Sequence, residues 1–216
     1  MRDQMTATGK ENLTQKIYDD LLRRFLNNEL LPGTVIDRKA LAKEYSVSMS
    51  PVRDALQRLA LEGFVETRSR SITIVKVIKK EDIYDMLTVR EALESQVTRM
   101  ICGERIRSEY DALMILARQV DEADAIMEYW RKDIAFHRQL VTMSGCKLLI
   151  TMYNQIMNIG NFYQINNFFV NLDPESRDSH ITLLQHLASD DKDESELAIR
   201  NHLKAGKIGF PQYIRK

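Results

Sequence analysis

Apolar residues between positions 13 and 30 recur every three or four positions, which predicts a helix with one buried stripe. The residues that precede it, 1–11, are polar and are expected to form a loose arm. Pro32 and Gly33 follow the helix and predict a turn. The chain is therefore expected to begin with a flexible arm and one amphipathic helix.

Two further short helices are expected after this turn. Asp37 is placed to cap the first of them, over residues 38–45. A tight turn leads to the second, for which Ser50 is a good N-cap and Pro51 a suitable first helical residue. Gly63 is expected to end that helix.

β-Branched residues then cluster at 64–67 and 71–77 and predict two strands, joined by a tip that contains Arg68 and Arg70. Three helices followed by a two-stranded ribbon with a basic tip are typical of a winged helix-turn-helix. Residues 1–78 are accordingly assigned to a DNA-binding domain.

From residue 79 to 216 the apolar residues keep helical spacing, and no strand pattern is present. Ser144-Gly145 and Asp173-Pro174 are the clearest breaks. The fold class expected for the whole chain is mainly α, a winged helix-turn-helix followed by an all-α antiparallel bundle. The helices of the bundle are predicted at 82–103, 108–123, 125–143, 147–169, 174–189 and 193–212.

The formal net charge of zero hides an asymmetry along the chain. Residues 1–80 carry 15 Lys and Arg against 10 Asp and Glu, whereas the remainder carries 16 against 21. Only the front half is therefore expected to meet a polyanion. Two cysteines, no apolar leader and no membrane-length apolar run favour a cytoplasmic protein with no membrane partner.

The third predicted helix carries the candidate base-reading residues. Val52, Leu56 and Leu59 mark its buried face, while Arg53 and Gln57 project from the other side. In a major groove, Arg can read guanine and Gln can read adenine. The alternative is a surface helix with solvated charges.

Several motifs in the first third resemble the GntR family of bacterial transcription regulators. They are Leu31-Pro-Gly-Thr, Leu41-Ala, Val47-Ser, Pro51-Val-Arg-Asp-Ala-Leu, Leu59 and Glu62-Gly-Phe-Val. The resemblance implies a homodimer on a palindromic operator, in double-stranded DNA, with DNA contacts from Lys39, from Ser48, Met49 and Ser50, and from Arg53.

Two positions depart from that family pattern. Met49 stands where many relatives carry an arginine, and Ser71 and Ile72 replace the usual wing-tip glycine. One base or phosphate contact is thus expected to be missing or altered, and the geometry of the wing can differ. Arg68 and Arg70 at the tip are still expected to contact phosphates.

The second half contains a candidate metal site. Asp133 and His137 lie four residues apart on one helix, and His180 and His202, on two later helices, could complete a set of one carboxylate and three imidazoles. Such ligands suit zinc, nickel, manganese or iron, and the ligand types alone do not choose among these metals. Zinc is the first expectation. The alternative is a polar pair on a wet helix face, with His180 in the core and His202 solvated.

The segment Asp133-Ile-Ala-Phe-His137, the two later histidines and Arg90-Glu-Ala-Leu-Glu94 resemble the all-helical ligand-binding domain of the FadR-like GntR subfamily, the FCD type. That resemblance implies a divalent metal on these four positions, beside a pocket for a small carboxylic acid. His186 falls outside the pattern and is expected to face solvent or packing.

Arg90 is the candidate anchor for an anionic effector, because a guanidinium pairs two carboxylate oxygens. The alternative is a surface pair with Glu94 at i+4. Asn154 and Asn158 lie in an amide-rich segment and could bind effector hydroxyls.

Together these patterns predict a transcription regulator, expected to be a repressor and not an enzyme, whose operator affinity is controlled by a small organic acid bound beside a metal. Two alternatives remain at this point. One is an effector-independent DNA-binding dimer with a structural metal. The other is a metal-dependent hydrolase fused to a DNA-binding head.

Overall fold

The computed structural model describes residues 7–68, 72–167 and 179–205. The chain divides into two compact units. The first contains the described residues up to Lys79 together with the end of the eighth helix from Asn158 onward, and the second contains the rest. Among the described helices, none combines the length and the apolarity needed to cross a membrane.

The first unit is a winged helix-turn-helix with a small sheet. Its elements are α1 (Ala7–Leu26), β1 (Val35–Ile36), α2 (Arg38–Glu44), α3 (Met49–Leu61), β2 (Val65–Thr67) and β3 (Thr73–Val75). β3 lies between the other two strands and is antiparallel to both. Val65 pairs with Val75, and Val35 pairs with Ile74.

Several boundaries differ from the expected ones. The helix predicted over 13–30 begins at Ala7, so residues 7–11 are not a loose arm. It ends at Leu26 because the chain turns at Asn28, which has a φ of 59°. β1 was not predicted, because two residues carry no periodic pattern and are ordered only by pairing with β3.

The second helix is as expected, since the Asp37 carboxylate accepts hydrogen bonds from the backbone N–H groups of Lys39 and Ala40. The third helix starts earlier than predicted. Ser48, not Ser50, occupies the N-cap position, and its side chain makes no capping hydrogen bond. Pro51 is the third residue of α3 instead of the first, which is tolerated because N–H groups in the first turn have no helical acceptor.

An aromatic cluster fills the core of the first unit. Phe25 from α1 and Phe64, just after α3, stack with ring centroids 5.5 Å apart. Phe162, from the part of the eighth helix that groups with this unit, lies 5.4 Å from Phe64 and 5.8 Å from Phe25. All three side chains are fully buried. The core of the winged unit is therefore completed by a segment far along the chain.

The second unit is helical throughout its described part. Its elements are α4 (Lys80–Ile101), α5 (Glu104–Ser108), α6 (Tyr110–Asp121), α7 (Ile126–Met143), α8 (Lys147–Asn167, of which the end belongs to the first unit), α9 (His180–Leu187) and α10 (Lys192–Ala205). α5 was missed because it is only five residues long. α9 begins at His180 after Ser179 as N-cap, and the predicted helical stretches 174–178 and 206–212 lie outside the described residues.

Candidate functional site

Four candidate metal ligands from three helices of the second unit meet in its interior. Asp133 and His137 come from α7, His180 is the first residue of α9, and His202 lies in the last turn of α10. Each offers one ligand atom, and these atoms all lie within 4.8 Å of one another. All four side chains are buried, including that of His202, for which a solvated position was the alternative.

The two ring nitrogens of His137 have different surroundings. Its Nδ1 lies 2.5 Å from Oε2 of Glu94. Its Nε2 is buried, has no hydrogen-bond partner among the residues that the structure describes, and lies 3.4 Å from Oδ1 of Asp133. A buried polar atom without a partner is costly, and a metal ion at this point would remove the cost. The residues present therefore fit a divalent cation.

His180 is held between two carboxylates. Its Nδ1 lies 2.9 Å from Oδ1 of Asp121, and its Nε2 lies 3.1 Å from Oδ1 of Asp133. Burial by itself lowers the pKa of His180, but the hydrogen bonds to these two carboxylates outweigh it and raise that pKa above its ordinary value. The ring of Phe136 meets both His137 and His180 edge-on, with centroids 5.4 and 5.2 Å away, and forms an apolar wall.

Arg90 is part of the same buried cluster. Its Nε donates to Oε1 of Glu94 at 2.6 Å, and its Nη2 lies 3.4 Å from Oδ2 of Asp133. The pairing with Glu94 expected as the alternative does form, but it is buried and not on the surface, because only 5% of Arg90 is exposed. An incoming acid would meet a guanidinium that already has two carboxylate partners.

Arg90 and His137 stabilise the ionised forms of the two buried carboxylates in this cluster. Burial by itself raises the pKa of Asp133, but Arg90 and His137 hold it well below its ordinary value. Burial likewise raises the pKa of Glu94, yet His137 and Arg90 bring it down to about 2. Both carboxylates are consequently ionised at neutral pH, as metal coordination and its supporting hydrogen bonds require.

The other predicted effector residues make no described hydrogen bond or ion pair with this cluster. Asn154 and Asn158 are half-buried on α8, and Asn158 groups with the first unit. His186 is exposed and pairs with Glu194, as its position outside the motif indicated. Tyr153, in contrast, is fully buried, and its hydroxyl has no hydrogen-bond partner within the described ranges. Its burial and, after that, the charge of Glu94 raise its pKa.

The predicted DNA-contact residues lie on the surface of the first unit. Lys39, Ser48, Met49 and Gln57 are exposed, Ser50 is half-buried, and the side chain of Arg53 is 67% exposed. Arg68 is exposed and pairs with Glu66 at 2.7 Å. Arg70 lies outside the described residues.

Two known protein-family models match this chain, one in each half. The model of the FCD domain matches residues 85–205, and that of the bacterial regulatory proteins of the gntR family matches residues 13–75. The chain belongs to the GntR family. The HTH-type transcriptional regulator LutR of Bacillus subtilis (strain 168) is 30% identical over 150 residues, which cover 62% of this chain and 68% of LutR.

Two further matches span nearly all of this GntR regulator. The probable D-xylose utilization operon transcriptional repressor of Paenarthrobacter nicotinovorans is 22% identical over 93% of this chain and 92% of its own length. The crystal structure of a putative transcriptional regulator GntR from Rhodococcus sp. RHA1 shares the fold, with a TM-score of 0.69 at 16% identity over 94% of this chain and 99% of that one. LutR and the relative from P. nicotinovorans are named as transcription regulators, so the hydrolase alternative is not retained.

Two residues that contact the histidines were missed by sequence reasoning. Glu94 was considered only as a surface partner of Arg90, although its position at i+4 placed it on the same helix face. Asp121 was not considered, because 59 residues separate it from His180 and no local pattern joins the two. Both are carboxylates that bind Nδ1 of a candidate ligand.

Proposed function

We propose that this GntR regulator is a repressor whose affinity for a palindromic operator is controlled by a small carboxylic acid bound beside a divalent metal. The observation that carries the proposal is the buried set of Asp133, His137, His180 and His202, with their ligand atoms within 4.8 Å of one another. The relative from P. nicotinovorans is itself named as a probable repressor.

The metal would be held by one carboxylate oxygen of Asp133 and the imidazole nitrogens of the three histidines. Four such ligands suit zinc, and they also suit nickel, manganese or iron, which accept additional ligands. When bound, the ion would supply positive charge and open coordination positions for an acid. Glu94 keeps Nε2 of His137 turned toward the site by binding its Nδ1.

The charge of the cluster supports an anionic effector only when the cation is present. Arg90 balances one of the three carboxylates around the histidines, Glu94, Asp133 and the partly exposed Asp121, so two negative charges remain when the imidazoles are neutral. A divalent cation would neutralise this excess, and a carboxylate could then bind the cation without repulsion from a net negative site. Arg90 thus supports an acid through its charge, whereas Asn154 and Asn158 are weaker candidates because no described hydrogen bond joins them to the cluster.

DNA binding is assigned to α3 and the residues around it. Arg53 and Gln57 occupy the exposed face of α3 and are proposed to read bases, while Ser48, Met49 and Ser50 lie at its start. Lys39 and Arg68, with Arg70, are proposed to contact phosphates. A helix N-terminus with exposed N–H groups is itself suited to a phosphate.

A homodimer is proposed because a palindromic operator requires two heads. The second unit offers exposed apolar side chains for such contact. Ile115 on α6 is 59% exposed, and Leu148 at the start of α8 is 70% exposed. Native mass spectrometry of the full chain should show twice the chain mass.

The metal and acid requirements are tested together. Protein purified without added metal is analysed for its elements and by native mass spectrometry, which reports the bound metal and any acid that co-purifies. Operator binding is then measured after EDTA treatment, after addition of zinc or manganese, and with a panel of small carboxylic acids. We expect an acid to change operator affinity only in the metal-loaded protein, because an effector acts through its differential affinity for two states.

One observation favours the second candidate, a DNA-binding dimer with a structural metal. Four protein ligands suffice for tetrahedral zinc, which leaves no open position. In that case metal would raise the melting temperature, but no acid would alter either the melting temperature or the operator affinity.

A further inference from the structure

The Asp121 carboxylate, at the end of α6, contacts three consecutive residues at the start of α9. Its Oδ1 accepts hydrogen bonds from the backbone N–H of His180 and from Nδ1 of that residue, both at 2.9 Å. Its Oδ2 accepts from Oγ of Ser179 at 2.8 Å and from the backbone N–H of Ile181 at 3.2 Å. All hydrogen bonds described for this side chain go to residues 179–181.

These bonds serve two separate purposes. The two backbone N–H groups belong to the first turn of α9, where no helical acceptor is available, so Asp121 acts as a cap supplied by another helix. The bond to Nδ1 fixes the imidazole ring of His180 instead. With Nδ1 as the donor, Nε2 is the nitrogen that faces Asp133 and the other histidines.

We propose that Asp121 is a positioning residue for the metal site, which holds His180 in the ring orientation and tautomer that metal coordination requires. This inference rests on the proposed function, since it assumes that the four ligands hold a cation. A carboxylate behind a ligating imidazole also makes the distal nitrogen a better donor. Asp121 therefore influences the metal without touching it.

The position of Asp121 distinguishes it from Glu94, the carboxylate behind His137. Glu94 is buried and forms an ion pair with Arg90. The Asp121 side chain, in contrast, is 19% exposed, and its described hydrogen bonds go to residues at the start of α9. The same carboxylate caps α9 and orients His180. A change at Asp121 is therefore expected to affect both the position of that helix and the affinity of the site for a metal.

The chain provides a matched control. Asp191 caps α10 in the same unit, where its Oδ1 accepts from the backbone N–H groups of Asp193 at 2.9 Å and Glu194 at 3.1 Å. Its described hydrogen bonds involve no histidine. Asp191→Ala thus removes a capping carboxylate, as Asp121→Ala does, but leaves every candidate ligand untouched.

The experiment titrates Co²⁺ into the full-length wild type, Asp121→Ala and Asp191→Ala after EDTA treatment and removal of the chelator. The visible absorption of cobalt reports the ligand geometry, and competition with a chromophoric chelator gives the affinity. Melting temperatures of the metal-free proteins report the loss of each cap. We expect both variants to melt at lower temperature than the wild type, but only Asp121→Ala to bind Co²⁺ about 10–100-fold more weakly and with an altered spectrum.

Equal Co²⁺ affinity and equal spectra for Asp121→Ala and the wild type would overturn the inference and leave the proposed metal site standing. A wild type that binds no Co²⁺ would instead overturn the metal site itself. If Asp121→Ala does not fold, Asp121→Leu is used, because its branched side chain fills the space of the carboxylate but offers no acceptor to Nδ1 of His180. Asp121→Leu with wild-type affinity and spectrum would likewise overturn the inference.

Discussion

Oε2 of Glu94 lies 2.5 Å from Nδ1 of His137, across 43 residues of sequence and inside a helical unit where both side chains are almost fully buried. The other oxygen of that carboxylate accepts from Nε of Arg90. Because burial opposes ionisation and these two partners more than compensate, the pKa of Glu94 falls from 4.5 to about 2.

The stability of the metal-free protein should therefore depend on pH through Glu94. A carboxyl whose folded pKa is depressed contributes stability above its unfolded pKa, and this contribution is lost as the pH falls through the folded value. Between about pH 4.5 and pH 2, we expect the free energy of unfolding in EDTA to fall. Glu94→Gln should be less stable at pH 7 and should show a flatter acid dependence in urea unfolding. Glu122→Gln, at an exposed position, should keep the wild-type profile.

Removal of one candidate ligand should abolish metal-dependent stabilisation. A ligand that binds only the folded state adds about 2.7 kcal/mol at a concentration of 100 times its dissociation constant. We expect zinc or manganese to raise the melting temperature of the wild type and of His186→Ala, whose histidine is exposed and lies outside the cluster. His137→Ala should show no such rise, and an equal rise in all three proteins would contradict the assigned ligands.

Arg53→Ala should reduce operator discrimination. The Arg53 side chain is 67% exposed on α3, so its removal costs little folding stability. We expect a loss of about 1–3 kcal/mol of binding free energy on operator DNA and little change on random DNA. Fluorescence anisotropy with both duplexes at one fixed salt concentration measures this. An unchanged ratio of the two affinities would rule out base reading by Arg53.

Lys39→Ala should instead weaken binding to operator and random DNA alike. Lys39 is exposed in the first turn of α2, where a phosphate contact carries no sequence information. The slope of log affinity against log salt should decrease in magnitude by about 1, because one fewer counterion is released. A selective loss on operator DNA would show that Lys39 contacts a base.

Phe162→Ala should destabilise the winged unit even though the residue lies far along the chain from it. Phe162 is fully buried against Phe25 and Phe64, and truncation of a buried Phe typically costs about 3–5 kcal/mol. Urea unfolding should detect this loss. Gln155→Ala on the same helix, at an exposed position, should change the free energy of unfolding by no more than about 0.5 kcal/mol.

Local pattern alone was enough for the three helices and the two wing strands of the winged unit, although not for β1, and for most helices of the bundle. Val52, Leu56 and Leu59 show the spacing of a buried helix face, and Asp37 shows the chemistry of a cap; both are properties of neighbouring residues. Boundaries were less accurate. The start of α3 moved to Met49 and the end of α1 to Leu26, because the ends of helices depend on contacts beyond their own sequence.

The four candidate ligands were also recognisable in the sequence, since Asp133 and His137 share a helix face, His180 and His202 on two later helices could complete the set, and the resemblance implied the same four positions. Only the tertiary structure decided which groups form hydrogen bonds or ion pairs with those ligands. It placed Asp121 behind His180, Glu94 behind His137 and Arg90 between two carboxylates. The sequence determined which side chains could bind a cation, while the packing of distant helices determined their partners, because a hydrogen bond depends on distance in space and not on separation along the chain.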